Sequence, residues 1–435
     1  MKKLVALLLA LCLCLGLGAA VAEGTLWDVY RLELNPTAKT FIQRADYNDD
    51  SFVVDVNGNV LSEGYASISV EKDGYIVVDD NGLNVQGFLN GQGQLVMPMQ
   101  YGDIEWISDR WLAGVVLVEA TEEDYDYKSF IGDGYYQIER VDMYYCGALV
   151  GSLAREDYYY AEALGDYLLI RNRNNDRFFY NKALEKSAYE AQYSQEYDED
   201  YKTGVIMHCG SNQQAFVPEC TLTADEVKKS IWLDSDGVAK DLQGNVLFDL
   251  GRTYENYFSF EGDYARVRLN GLYGLVDKTG REVLPCEYDE IYSSNADNGG
   301  YFDTGYQLVS KDGMVGFVDL QGNALAGFTY SASAAKTYYQ PFTHLQGLDG
   351  KYIVISPLGE LAEHYAEVSF DYGCPVFCAK NDAGAAGVVD MAGNAVVSFD
   401  GTFDSVYDFT ISDDGTLICA RVEDGYQVYQ LEPVK

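Results

Sequence analysis

Between Tyr264 and Ile291 apolar and polar residues alternate with the period of a strand, in short runs broken by turn residues. Ala265, Val267 and Leu269 alternate with Arg266 and Arg268, the pattern of a half-buried strand. Asn270-Gly271 follows, a pair that tolerates the φ > 0 of a two-residue hairpin. Leu272 to Asp277 is a second strand. Asp277-Lys278-Thr279-Gly280 suits a tight turn, with Asp bonding its own backbone and Gly taking the left-handed position. Glu282 to Leu284 is a third strand, which Pro285 ends because it has no N–H for the ladder. Tyr288 to Ile291 begins a fourth.

The same turn recurs at Asp55, Asn90, Asp241, Asp319 and Asp390, and in degenerate form at Ser356. The repeats are clear over about 50–105 and 232–400 and fade between. Tyr145 to Leu153 and Phe179 to Leu184 read as eroded copies. One unit of four short strands per roughly 40 residues fits a propeller blade. The expected fold is therefore all-β: a repeat array of antiparallel meanders, closed as a seven- or eight-bladed β-propeller. In that fold Thr416 to Val422 and Tyr426 to Leu431 close against the N-terminal segment. An open β-hairpin solenoid is the alternative.

Two stretches depart from the pattern. Residues 119–230 are rich in tyrosine and acid. Within them 186–230 reads as an insertion and a long surface loop, with a capping box at Thr223-Ala224-Asp225-Glu226 opening a short helix. Asn35-Pro36 reads as the start of another short helix.

Gly274-Leu275-Val276-Asp277, Gly280, Val283-Leu284-Pro285 and Tyr288-Asp289-Glu290-Ile291 together resemble the WG (KWG) repeat of bacterial proteins. The tryptophan that names it is absent: Tyr273, Val315 and Ala386 stand in its place. The resemblance implies an all-β repeat array over 23–435 as a single domain. It implies no catalytic residue.

Lys2-Lys3, the apolar run Leu4 to Leu17 and Ala20-Val21-Ala22 read as a signal peptide over 1–22, cleaved near Ala22, so the chain is expected to be secreted or associated with the cell envelope. No second apolar run is long enough to span a membrane. The 30 basic and 68 acidic residues give a formal net charge of −38. That charge repels nucleic acid and anionic membranes and leaves basic partners as the electrostatically favoured ones. Of nine cysteines, Cys12 and Cys14 lie in the leader. The seven that remain are an odd number, so at least one thiol is free.

Catalytic motifs are not found. Three histidines, His208, His344 and His364, lie far apart, and none has metal-ligand spacing. Asp46, Asn48 and Asp50 place oxygens at positions 1, 3 and 5 of a calcium loop. Ser51 and Asn57 replace its glycine and bidentate glutamate, which makes this a weak calcium candidate and the only cofactor considered. Thirty-seven tyrosines are the more unusual feature. Tyrosine set among acids offers a flat apolar face with a polar tip at low entropic cost. Tyr125, Tyr127, Tyr158, Tyr159 and Tyr160 are therefore the expected ligand or partner surface. The leading functional expectation is a non-catalytic exported binding or scaffold protein that engages a protein, peptide or glycan. A secreted carboxylate-dependent glycoside hydrolase and a structural envelope protein are the alternatives.

Overall fold

The computed structural model describes residues 24–78, 85–128, 134–164, 166–194, 204–209, 212–216, 231–234, 236–241, 245–261, 263–292, 305–332, 335–339, 341–371 and 373–431. The signal-peptide segment 1–22 and the capping box at Thr223 to Glu226 lie outside the described residues. So does all of 217–230. Among the described residues regular structure is strand and two short 3-10 turns, and no helix is long and apolar enough to cross a membrane.

The tight turn is the element that repeats most faithfully. At Asp277 the carboxylate Oδ1 accepts from the backbone N–H of Thr279 (2.9 Å) and Arg281 (3.1 Å). The Gly280 N–H donates to the Asp277 carbonyl at 2.9 Å, and Gly280 sits at φ +79°. The same pair of backbone donors reaches the side chain of Asp55, Asn90, Asp319 and Asp390. Four residues on, the side chain of Asn59, Gln94, Asn323 or Asn394 donates to or accepts from the same Asx. Each such bond contributes on the order of 1 kcal/mol. The turn persists where the sequence pattern fails. Asn181 accepts from Ala183 and Glu185 although Leu184, at φ +57°, takes the glycine position. Asn172 accepts from the Asp176 N–H and donates its amide to the Asp176 carboxylate, with Asn175 at φ +73°.

The glycine that precedes the turn has a different cause. A Cβ on Gly274 would lie 2.7 Å from the Leu284 carbonyl oxygen, and one on Gly387 2.6 Å from that of Val397. The outermost strand bulges at this point, where the register shifts in the copies at Gly316 and Val388. A bulged neighbour comes close only to a residue without a side chain. The aromatic ahead of it also has a task. The Arg266 guanidinium lies 4.3 Å from the Phe258 ring and 5.0 Å from the Tyr273 ring, and Arg268 lies 5.3 Å from Tyr273.

These units build ten antiparallel-based sheets among the described residues. Four are consecutive four-stranded meanders between 256 and 397, and a fifth spans 67–101. The stretch where the repeat fades is pleated too. Two compact units divide the chain: Val29–Cys286, and Glu287–Lys435 with Met1–Asp28. In the second unit Thr25–Trp27 pairs with Gly425–Gln430, in the register Thr25↔Val428 and Trp27↔Tyr426. The N-terminal strand thus supplies the fourth strand of the C-terminal sheet. In the same unit His344 is buried and stacks on Phe370 and Tyr339 at 5.4 and 5.8 Å. Cys146, Cys286, Cys374, Cys378 and Cys419 are free thiols.

Four local expectations are corrected. The strand of Glu282–Tyr288 runs through Pro285 rather than ending there, since it is an edge strand and the missing N–H breaks no ladder. The meander's first strand is Asn256–Glu261, upstream of the alternating run. Residues 186–194, 204–209 and 212–216 are strand, not loop. The turn at Asn181 sends Lys186–Ser194 back along Arg177–Tyr180, as in every other unit, and Gly204–Cys209 and Asn212–Phe216 extend the sheet. Asn35-Pro36 opens a hairpin turn, not a helix. Asn35 accepts from Thr37 and Ala38, and Lys39 at φ +55° closes one turn between paired strands.

Candidate functional site

Strand Asp103–Ser108 is the edge of a sheet whose inner strands are Trp111–Glu119 and Tyr135–Tyr145. Alternation sends Ile104 and Trp106 into one core and sets Asp103 and Glu105 together on the opposite face. That face meets the chain that enters the next sheet. There a single 3-10 turn, Arg155–Asp157, ends with the Tyr158 N–H bonded to the Arg155 carbonyl, and strand Tyr160–Leu164 follows. The turn swings Tyr158 inward onto a core that includes Trp111, Val141 and Ile170.

Tyr158 is 2% exposed, and its hydroxyl donates to Glu105 Oε2. Burial raises the Glu105 carboxyl above its usual range, and the Asp103 charge adds to the rise, while the Tyr158 bond opposes it. Asp103 is also raised by burial, against a 3.0 Å bond from the Ile104 N–H to its Oδ1. Neither carboxylate forms an ion pair among the described residues. Burial, then Asp103 and Glu105, push the Tyr127 phenol up to about 12. Tyr158 is displaced upward by burial and then by Glu105, and it senses the phenols of Tyr127 and Tyr160. Five polar groups from three segments therefore share one partly desolvated place.

A second set of charges borders it. Asp126 accepts from the Ile138 N–H (2.8 Å), from Arg155 Nε (2.9 Å) and from the Arg173 guanidinium (2.7 Å). Asp124 takes both terminal nitrogens of Arg155, at 2.8 and 3.1 Å. Burial alone would raise Asp126, but these donors outweigh it and hold the carboxyl below its usual range.

The five tyrosines expected from sequence do not form one surface. Tyr158 bonds to Glu105 and Tyr127 lies near enough to feel its charge, while Tyr160 neighbours Tyr158. Tyr158 is not a surface residue, because the 3-10 turn buries it. Tyr160 is 51% exposed and Tyr159 is 58% exposed, with the Arg171 guanidinium 4.5 Å from the Tyr159 ring. Tyr125, 42% exposed, packs on Tyr135 with ring centroids 4.9 Å apart. Asp103 and Glu105 escaped the sequence reading. The available signal was two acids at alternate positions of a strand that follows a clear repeat. Asp46, Asn48 and Asp50 lie in an exposed turn where Asp46 accepts from the Tyr47 N–H at 2.5 Å. Among the described residues no three His, Cys, Asp or Glu side chains are grouped to hold a metal ion.

Residues 240–273 and 273–302 match the family described as WG containing repeat. No curated protein matches the chain. Among solved structures, a eukaryotic initiation factor is similar at 10% identity and a TM-score of 0.33, over 80% of this chain and 91% of that one. The C-terminal WD40 domain of Sif2 is similar at 10% identity and a TM-score of 0.25, over 96% and 99%. BamB from Moraxella catarrhalis is similar at 11% identity and a TM-score of 0.24, over 73% and 100%. At these values nothing is carried over from them to individual residues. The matched stretch contains Tyr273, Gly274, Asp277, Gly280 and Pro285, whose places in the meander are given above, so the chain carries WG-containing repeats over residues 240–302.

Proposed function

We propose that this chain is a non-catalytic, exported binding scaffold that takes a basic protein or peptide at the Asp103–Glu105–Tyr158 cluster. The observation that carries the reading is a pair of desolvated carboxyls with no ion-pair partner of their own, beside tyrosines. A lysine or arginine side chain placed there would restore the ionised carboxylates and lie against aromatic rings, both favourable. The net charge of −38 would steer such a partner toward the molecule and speed its arrival at low salt.

Titration of the full chain with an oligolysine peptide and, separately, an oligoglutamate peptide tests the reading. The expected result is saturable binding of the basic peptide, weakened at least about tenfold in Asp103→Asn/Glu105→Gln. Equal affinity of wild type and variant would contradict it.

A second reading rests on the same two raised carboxyls, which could serve as the acid and base of a glycoside hydrolase. It requires turnover of a polysaccharide that disappears in Glu105→Gln.

A further inference from the structure

We propose that residues 120–128 form a strap over this cluster, held shut by an ionic latch between Asp124 and Asp126 on the strap and Arg155 and Arg173 beyond it. This rests on the reading of the Glu105 cluster as the binding site. The strap is joined to its own sheet by few backbone bonds: Ala120 N–H to the Tyr135 carbonyl and Asp126 N–H to the Tyr136 carbonyl, both 2.8 Å, and the two-residue strand Tyr127–Lys128. Towards the next segment the bonds are ionic. Arg155 stands in the 3-10 turn, and Arg173 in the turn between Tyr167–Arg171 and Arg177–Tyr180. The forked guanidinium of Arg155 spans both strap carboxylates, and Arg173 closes on Asp126.

The strap carries Tyr127, which packs against the core that holds Tyr158 and lies close enough to Asp103 and Glu105 to feel their charges. With the latch shut, the strap seats Tyr127 on the core that holds Tyr158, the partner of Glu105. With the latch open, the strap keeps its backbone anchorage, the Ile138 bond to Asp126 and the Tyr125–Tyr135 ring contact, and a ligand reaches Glu105 and Tyr158 by displacing Tyr127. A basic partner both opens and occupies the site: it competes with Arg155 for Asp124, which is exposed, and then with solvent for Glu105. Charge-assisted forks of this kind are geometrically demanding, so arginine and lysine are not equivalent at position 155.

Carboxyl footprinting tests the strap without any partner. The full chain is treated with a water-soluble carbodiimide and a small amine, and modification of Glu105 is read by peptide mass spectrometry. Arg155→Ala should raise Glu105 modification about tenfold, and Arg155→Lys should fall between. Raising NaCl from about 0.05 M to about 1 M should increase it in wild type, and less in Arg155→Ala, where the Arg173–Asp126 pair is what remains of the latch. Backbone exchange of 256–288 serves as the folding control. Equal Glu105 modification in wild type and Arg155→Ala, or a wild type indifferent to salt, overturns the proposal. The salt arm stands even where a variant folds poorly. A closed strap with no binding of oligolysine would instead overturn only the function proposed for the site.

Discussion

The Tyr158 hydroxyl bonds to the Glu105 carboxylate across 53 residues of sequence, and by doing so joins a strand edge to the 3-10 turn ahead of the next sheet. Glu105 is poorly solvated and already carries the neighbouring charge of Asp103. Removing its donor leaves a part-buried carboxylate short of a partner. Tyr158→Phe should cost about 1–3 kcal/mol in chemical denaturation and raise the Glu105 pKa further, whereas Tyr159→Phe should change neither. Denaturant midpoints and a carboxyl NMR titration read both effects.

The pH profile of stability should have two limbs. Glu105 and Asp103 have folded values above their unfolded ones. Between the unfolded range, about 3.9–4.3, and the raised folded value, the native state keeps a proton that the unfolded chain has lost, so stability falls as pH rises through that window. The turn carboxylates act oppositely. The side-chain bond from Asn59 holds Asp55 down. At Asp277 burial is outweighed by the bonds from Thr279 and Arg281. Their contribution is present above the unfolded value and lost as pH falls through the folded one. Asp103→Asn/Glu105→Gln should flatten the first limb and leave the second. Melting measured across pH 2–8 in wild type and variant reads this.

Asp277→Asn should be close to neutral and Asp277→Ala should cost about 1–2 kcal/mol, because Asn90, Asn181 and Asn381 already accept the same backbone donors in sister turns. Gly274→Ala should cost more, about 2–3 kcal/mol, since its Cβ meets backbone that cannot yield cheaply. Urea unfolding of the three variants gives the order.

Deleting residues 24–27 should open the edge of Gly425–Gln430, whose partner strand is Thr25–Trp27. Amide exchange there should rise by at least about tenfold, with exchange in Ala265 to Val276 unchanged. Equal protection with and without the strand would show that the pairing contributes nothing.

What was legible in the sequence is what is local. Asp277, Gly280 and their copies announce a turn within five residues, and the alternation at 265–269 announces a strand. Where glycine is replaced the signal weakens, to an eroded copy at Leu184 and to nothing at Asn175, yet the same turn forms because the Asx side chain alone can direct it. The run from Lys186 to Ser194 looked like loop by its polar composition, yet the preceding turn aims it along a waiting strand. The tyrosine-rich stretch supplies Tyr158 to the candidate site, but the site is non-local. Nothing near Tyr158 in sequence tells that its partner is Glu105, or that a 3-10 turn points it inward while its neighbours Tyr159 and Tyr160 stay exposed.

The most direct test of the cation-binding site is the carboxyl resonance of Glu105, followed through a pH titration of the full chain with and without saturating oligolysine. The account predicts a value above the ordinary glutamate range for the free chain, and a fall to or below that range when the peptide is bound. A Glu105 pKa unmoved by a peptide that binds elsewhere on the molecule would contradict it.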